Sequence, residues 1–404
     1  MPEVMPETIH NERATNSTTP LIIGLIGFLT LVDLFAAQAI LPSLAARFDA
    51  SPSAIGFAVN ASTIGMAFAG IAVALFGGKI DRRTGVWVSL AALAAPTLAL
   101  AFVDDLTTFA LLRIVQGVFM VTAFSLTMSY LAERCSAAQT STALAAYVTG
   151  VVASNLIGRL MAGSVTGEFG VPANFYFFAA LNLAGAGVAY AALRAAKPMA
   201  DAQEVLRSPI AAMRDHLSNA CLTKSFAIGF LILFAFIGVF TYVNFVLAAP
   251  PIALAPMALG FVYFVFLPSM LTTPFAGVAA ARIGARKSFF LSLGLALIGL
   301  PLLLSPSLPL ILAGLSIVAV GTFFAQATAT GFVGRAAKRD RAAASGLYLS
   351  SYYLGGLAGA ALLGRIFEAS GWPATVAAVG VALGLAALLA ATLKRTTAEP
   401  PRTA

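Results

Sequence analysis

The chain has 404 residues, of which 60% are hydrophobic and only 10% charged, and its mean hydropathy is +0.92; a soluble domain keeps roughly 25% of its residues charged to wet its surface. The net charge of +8 would suit nucleic acid, but the basic residues fall in short intervals between apolar blocks, where they orient a chain in a membrane. Two cysteines (Cys135, Cys221) and two histidines (His10, His216) lie outside the deep apolar segments, which excludes a disulfide framework, a metal cluster and the nucleophile–base pair of an intramembrane enzyme.

In chain order, residues 1–19 read as a cytosolic tail without the basic start and cleavage site of a removed signal peptide. Apolar blocks follow at 21–44, 54–77, 86–103, 107–131, 140–165 and 173–193, and then at 225–249, 257–280, 288–305, 308–333, 343–366 and 372–393. Many are ~20 residues long, enough to cross a hydrocarbon core. The expected organisation is a six-helix bundle over 20–194, a cytosolic linker over 195–224, a second bundle over 225–394 and a tail over 395–404. Within the linker, Ile210–Leu222 reads either as an amphipathic surface helix or as a solvated tether. With both termini in the cytoplasm, all but four of the 24 Lys and Arg fall on that side, leaving Arg47, Arg113, Arg159 and Arg365; the positive-inside rule then holds at every crossing. The fold class is an all-α polytopic membrane protein of twelve helices in two pseudo-symmetric halves.

An internal repeat supports the division. Gly77-Gly78-Lys79-Ile80-Asp81-Arg82-Arg83-Thr84-Gly85 follows the second block, and Gly277 through Lys287 follows the eighth, with Arg282, Gly284 and Arg286 inside it. The leading glycines are 200 positions apart. These loops resemble the signature loop of the major facilitator superfamily, Gly-x-x-x-Asp-Arg-x-Gly-Arg-Lys. The first copy keeps Gly77, Asp81 and Arg82, while Ala281 replaces the aspartate in the second. Arg113-Ile114-Val115-Gln116-Gly117 is similar to the Arg-x-x-Gln-Gly motif of proton-driven members. Met128 to Glu133, Gly158-Arg159-Leu160 and Ser351 to Gly356 resemble the YnfM-type branch of drug or sugar efflux proteins. The resemblance runs from about residue 20 to 395. It implies an inner-membrane secondary transporter working by alternating access. Asp81 would latch the cytosolic side against the start of helix eleven, with Gly77, Arg82, Gly277 and Arg282 in the two loops. One departure weakens antiport: the helix-five Gly-Pro of drug–proton antiporters is Ser154-Asn155 here, and Arg159 stands where the last glycine would be.

Asp33 is the one acidic residue deep within an apolar block, where an ionisable group costs at least ~2.5–3.5 kcal/mol by insertion scales. Counting from the ends of their helices, Asp33 sits ~18 Å above the cytosolic end, Arg113 ~12 Å below the outer end and Arg159 ~16 Å below it. In a core ~30 Å thick these depths coincide. The proton-coupling candidates are therefore Asp33 and Arg113: arginine stays charged, while burial opposes the charged carboxylate and a neighbouring arginine favours it. The competing reading is a static buried pair that fixes helix packing.

The substrate-binding candidates are Arg159, Gln116, Tyr242, Asn244, Gln326 and Tyr352. Arg159 has three open roles: binding an anionic group, pairing with Asp33, or facing a wet cavity. Thr322, Gln326 and Thr330 share one helical face, though polar side chains also join membrane helices by hydrogen bonds. Arg365 and Glu368 read as an interfacial charge pair. Gly150, Ser154 and Gly158, and Gly355, Gly359 and Gly364, mark close helix seams. The leading functional expectation is proton-coupled efflux of a small organic molecule. Uptake or facilitated transport of an anionic metabolite is the alternative, and a non-transporting membrane sensor a remote one. Expected partners are the substrate, protons and lipid, with no nucleic acid, cofactor or metal, and a monomer as the working unit.

Overall fold

The computed structural model describes residues 18–77, 80–134, 137–193, 209–337 and 341–393; the expectations for the tails, for Cys135 and for most of the linker lie outside them. Nine helical runs among the described residues are long and apolar enough to cross a membrane. Two of these, Ala137–Ala192 and Arg341–Ala391, are each two helices joined at a single glycine, Gly170 (φ 83°) and Gly371 (φ 76°). That left-handed conformation costs little only for glycine. A proline follows two residues later in each, Pro172 and Pro373, where it starts the next helix without losing a needed N–H. With Arg82–Ala99, whose first turn carries two arginines, the crossings number twelve. They are α1 (Thr18–Ala39), α2 (Pro52–Phe76, broken at Ala61), α3 (Arg82–Ala99), α4 (Leu106–Arg134), α5 (137–169), α6 (171–192), α7 (Ala220–Ala248), α8 (Pro256–Ile283), α9 (Ala285–Leu304), α10 (Leu308–Ala336), α11 (341–370) and α12 (372–391).

Several boundaries differ from expectation for local reasons. The linker helix is Pro209–Ser218, not Ile210–Leu222, because Asn219 turns extended and its side chain accepts from the amides of Cys221 and Leu222, capping α7 five residues before the expected start. α8 continues through Ile283, since nothing in its alanine-rich end stops it before Gly284 (φ 85°). Gly277 and Arg282 are therefore helical residues, and the expected second loop shrinks to one glycine. Arg365 and Glu368 do not pair: Glu368 accepts instead from the Ser53 amide at 2.8 Å, an unsatisfied donor at the positive end of α2. That bond ties α2 to α11 at the outer face.

The expected seams at Gly150, Gly158, Gly355 and Gly359 lie inside each half. Gly150 of α5 is packed directly on the Gly24 carbonyl of α1, and Gly355 and Gly359 of α11 on the Phe230 and Phe234 carbonyls of α7. Gly364 instead faces the Tyr242 and Ser53 hydroxyls. Contacts between halves run along α2–α11, where the Ser350 hydroxyl donates to the Ala67 carbonyl at 2.7 Å, and along α5–α8, where a Cβ at Gly163 would lie 3.1 Å from Gly260 Cα.

A side chain at position 150 would overlap the α1 backbone, so Gly150→Leu is expected to destabilise by about 1–3 kcal/mol or more. Gly384→Ala, where nothing lies within 4 Å, leaves stability unchanged or slightly raised; thermal unfolding of both purified proteins checks this.

Candidate functional site

Three ionisable side chains are buried in the interior of the first half: Asp33 (3% exposed), Arg113 (1%) and Arg159 (0%). They form two separate polar clusters joined by α1. The first surrounds Asp33. Its carboxylate Oδ2 accepts from Asn182 Nδ2 of α6 at 2.5 Å and lies 3.2 Å from the Thr97 hydroxyl of α3. No arginine binds this carboxylate. Arg113 reaches the same layer and donates to the main-chain carbonyl of Asp33 (3.4 Å), to Val59 O (2.9 Å), Ser62 Oγ (3.3 Å) and Gln116 Oε1 (2.7 Å). Gln116 completes the circuit by donating to Thr97 Oγ1 at 2.6 Å. The expected Asp33–Arg113 proximity is present, but two neutral side chains intervene where a salt bridge was one reading.

Thr97 is the pivot of this cluster. Pro96 precedes it and lacks the amide that would bond one turn back. Gln116 and Asn182 both donate to the Thr97 oxygen, at 2.6 and 3.2 Å, which occupies its two lone pairs. Its one proton then has two acceptors, the Leu93 carbonyl at 2.8 Å and Asp33 Oδ2 at 3.2 Å. An ionised Asp33 takes that proton into a hydrogen bond; a protonated Asp33 leaves it to Leu93.

The second cluster surrounds Arg159 of α5. Its Nε donates to Asn155 Oδ1 at 2.9 Å and its Nη2 to Gln38 Oε1 at 2.6 Å, while Nη1 is buried without a partner. The guanidinium lies 4.0 Å from the centre of the Tyr263 ring and 5.5 Å from those of Phe35 and Phe266, within cation–π range. Tyr263 and Phe266 stand on a 3₁₀ turn, Tyr263–Phe266, directly before Pro268; a proline ring cannot follow a regular helical turn without displacing it. Gln38 continues the chain to Asn60 Oδ1 (2.8 Å), and Asn60 Nδ2 reaches the Thr241 hydroxyl (3.2 Å). Tyr263 donates to Asn244 Oδ1 at 2.9 Å. This cluster therefore spans both halves: α1, α2 and α5 on one side, α7 and α8 on the other.

The chain matches the Major Facilitator Superfamily over residues 23–271 and 252–404. It belongs to that family of transporters. The MFS-type transporter YybF of Bacillus subtilis is 24% identical over 93% of both chains, and the inner membrane transport protein YnfM of Escherichia coli is 26% identical over 91% of this chain and 88% of that one. Among solved structures, a bacterial homologue of the human lysosomal transporter Spinster superposes with a TM-score of 0.75 at 14% identity, covering 93% of this chain and 96% of that one. The nucleoside transporter NupG superposes with 0.73 at 14%, covering 93% and 100%. The fold of this transporter is therefore the twelve-helix one its sequence pattern indicates.

Of the residues expected to bind substrate, only Arg159 has an uncommitted polar atom in a buried cluster. Gln116 is used at both ends of its amide. The Tyr242 hydroxyl donates to the Ala360 carbonyl and fills the space beside Gly56 and Gly364, joining α7, α11 and α2. Asn244 donates to the Phe240 carbonyl and accepts from Tyr263. Gln326 is half-buried on α10 and Tyr352 is half-buried on α11, stacked with Tyr348. The Thr322–Gln326–Thr330 face runs from buried to exposed, with Thr322 and Thr330 both bonded to their own helix. Sequence reasoning missed Thr97, Asn182, Gln38, Asn60, Asn155 and Tyr263. The signal that exposed Asp33, a polar side chain inside an apolar block, was available for all six in weaker form.

In the α2–α3 turn, Arg82 donates to the Gly77 and Ile80 carbonyls. Asp81 caps α3, accepting from the Thr84 amide at 2.8 Å; within the described residues its bond is to its own helix, not to α11. The Thr84 amide holds the Asp81 carboxyl below the usual carboxylate range. That contribution is complete above the unfolded value of ~4 and is lost as pH falls through the lower folded value. Because Asp81 is exposed, Asp81→Ala should cost only ~0.5 kcal/mol at neutral pH, with the difference from wild type shrinking below pH ~4 in a pH series of thermal unfolding.

Thr97→Val keeps the shape of the pivot and removes its hydroxyl, leaving the Gln116 and Asn182 donors and the carboxylate short of a partner. Loss of a hydrogen bond to a buried charged group corresponds to about tenfold to a hundredfold, so pH-gradient-driven transport should fall by that factor. Thr97→Ser should retain it, and vesicle flux assays on both variants provide the comparison.

Proposed function

We propose that this protein is a proton-coupled secondary transporter that moves a small organic molecule out of the cell by alternating access, in a bacterial inner membrane with both termini cytosolic. The observation that carries this reading is Asp33: a carboxyl 3% exposed, held by neutral donors and lacking an ion pair, on a helix that also carries Gln38 into the interface between halves. A static structural role would favour direct pairing of the carboxylate with the adjacent Arg113, since an unpaired buried charge is costly. The Thr97 and Asn182 cluster instead suits a group that gains and loses its proton. Arg113 and Gln116 act as positioning residues that keep Thr97 beside the carboxyl.

The relatives' names support this reading in two parts. YnfM is named an inner membrane transport protein, which bears on location. A bicyclomycin resistance protein homologue of Haemophilus influenzae is 24% identical over 176 residues, 43% of this chain and 44% of its own; resistance is the phenotype of export. A single copy suffices, since both clusters are complete within one chain. The bond of Glu368 to Ser53 holds the outer ends of α2 and α11 together, a contact between halves whose release permits opening at that face.

The test is reconstitution in vesicles with an imposed pH gradient and a screen of organic compounds for substrate-triggered proton flux. Flux seen with wild type and abolished in Asp33→Asn is the expected result. Equal substrate movement in both proteins without proton flux makes this a facilitator and returns Asp33 to a packing role.

A further inference from the structure

The second cluster has a feature that proton handling leaves unused. Arg159 is a fully buried cation whose hydrogen-bond acceptors are both neutral amides, and it has no carboxylate within salt-bridge distance. A charge in such a place normally has a partner. Arg113 differs: each of its three nitrogens has an acceptor. Of these two buried arginines, Arg159 is the one left with a free nitrogen, Nη1, and that nitrogen belongs to a guanidinium lying among three aromatic rings from both halves.

We propose that Arg159 anchors a monoanionic organic substrate, a carboxylate carried on an aromatic body. The proposal rests on the transporter reading above and adds the substrate class. The chemistry follows from the group and its surroundings. A guanidinium presents five N–H donors in a plane matched to a carboxylate, and two of them are bonded here, to Asn155 and Gln38. One positive charge without a second basic residue in its cluster balances a monoanion; a phosphate dianion would leave a negative charge buried. Phe35, half-buried beside the guanidinium, and the rings of Tyr263 and Phe266 supply the apolar surface for the substrate's body. In the occluded arrangement Arg159 is fully covered, with Tyr263 of α8 lying across it; parting the α5–α8 seam at Gly163 and Gly260 uncovers it. Asn244 is a positioning residue, fixing the Tyr263 ring through its hydroxyl.

The experiment uses the purified full chain in lipid nanodiscs and calorimetric titration without a pH gradient. Benzoate and 3-phenylpropionate are the probes, benzamide the neutral control and benzylamine the cationic one. Saturable binding of the carboxylates is expected, weaker by about tenfold to a hundredfold for benzamide and for the carboxylates with Arg159→Gln. Arg159→Lys should restore only part of the affinity, because an ammonium lacks the planar fork. Circular dichroism and gel filtration establish that both variants fold. The assignment is overturned if wild type binds neither carboxylate saturably, if Arg159→Gln binds them as tightly, or if benzamide or benzylamine binds equally well. Failure here is separable from failure of proton coupling. Carboxylate binding that depends on Arg159, with flux indifferent to Asp33→Asn, would remove the coupling alone. Asp33-dependent flux without carboxylate preference would remove the anion anchor alone.

Discussion

The interior of this transporter is governed by the cost of holding ionisable groups in hydrocarbon. One carboxyl and two guanidinium groups are buried in the first half, and the chain does not neutralise them by direct pairing. Neutral amides and hydroxyls are placed around each instead: Thr97, Asn182 and Gln116 on one side, Gln38, Asn155 and Tyr263 on the other. Such groups satisfy a charge without cancelling it, which is what the proposed roles of Asp33 with a proton and Arg159 with an anionic ligand require. Direct Asp–Arg pairing would have made a tighter bundle and a less responsive one, because breaking a buried ion pair leaves an uncompensated charge.

The two halves share this work unequally. Asp33, Arg113 and Arg159 all belong to α1–α6, while α7 and α8 contribute Thr241, Asn244 and Tyr263, which carry no charge. The partners that α7 and α8 offer across the interface are therefore neutral, and contacts such as Asn60 with Thr241 at 3.2 Å are individually weak. Weak contacts suit a surface that must part and re-form many times. Strong close packing is kept within each half, where Gly150 rests on the α1 backbone and Gly355 on the α7 backbone.

Much of this was legible in the sequence, for a physical reason. Twelve apolar blocks, a basic bias to one face and a repeated loop follow from the length of a helix across hydrocarbon and from charge asymmetry. The single acid in an apolar block stood out because ionisable groups there are rare. Depth counting along the helices placed Asp33 beside Arg113, since rise per residue is fixed. Azimuth was not legible. The rotation of each helix decides whether Arg113 meets the carboxylate of Asp33 or its main-chain carbonyl, and whether Gln116 faces a substrate or Thr97. That rotation is set by packing against partners distant in sequence. The partners of Tyr242 and Asn244 were illegible for the same reason: a polar side chain on a membrane helix meets either a ligand or another helix, and composition does not distinguish them. The end of α8 lies beyond the expected one because a basic pattern does not by itself stop a helix; the chain stops at Gly284, which adopts a positive φ.

Gly170 joins α5 to α6 without a loop between them. A one-residue corner has no slack, so the two helices cannot slide independently at that end; a tilt imposed on one is delivered to the other. Arg159 stands eleven residues before this corner and Asn182 twelve after it, at nearly equal distances along the two arms. The pair is a lever with one arm resting at the seam between halves and the other touching the carboxyl of Asp33. Under the roles proposed for Arg159 and Asp33, a ligand and a proton would act on the two arms of one hairpin, with no chain of polar groups needed to carry the signal from one cluster to the other.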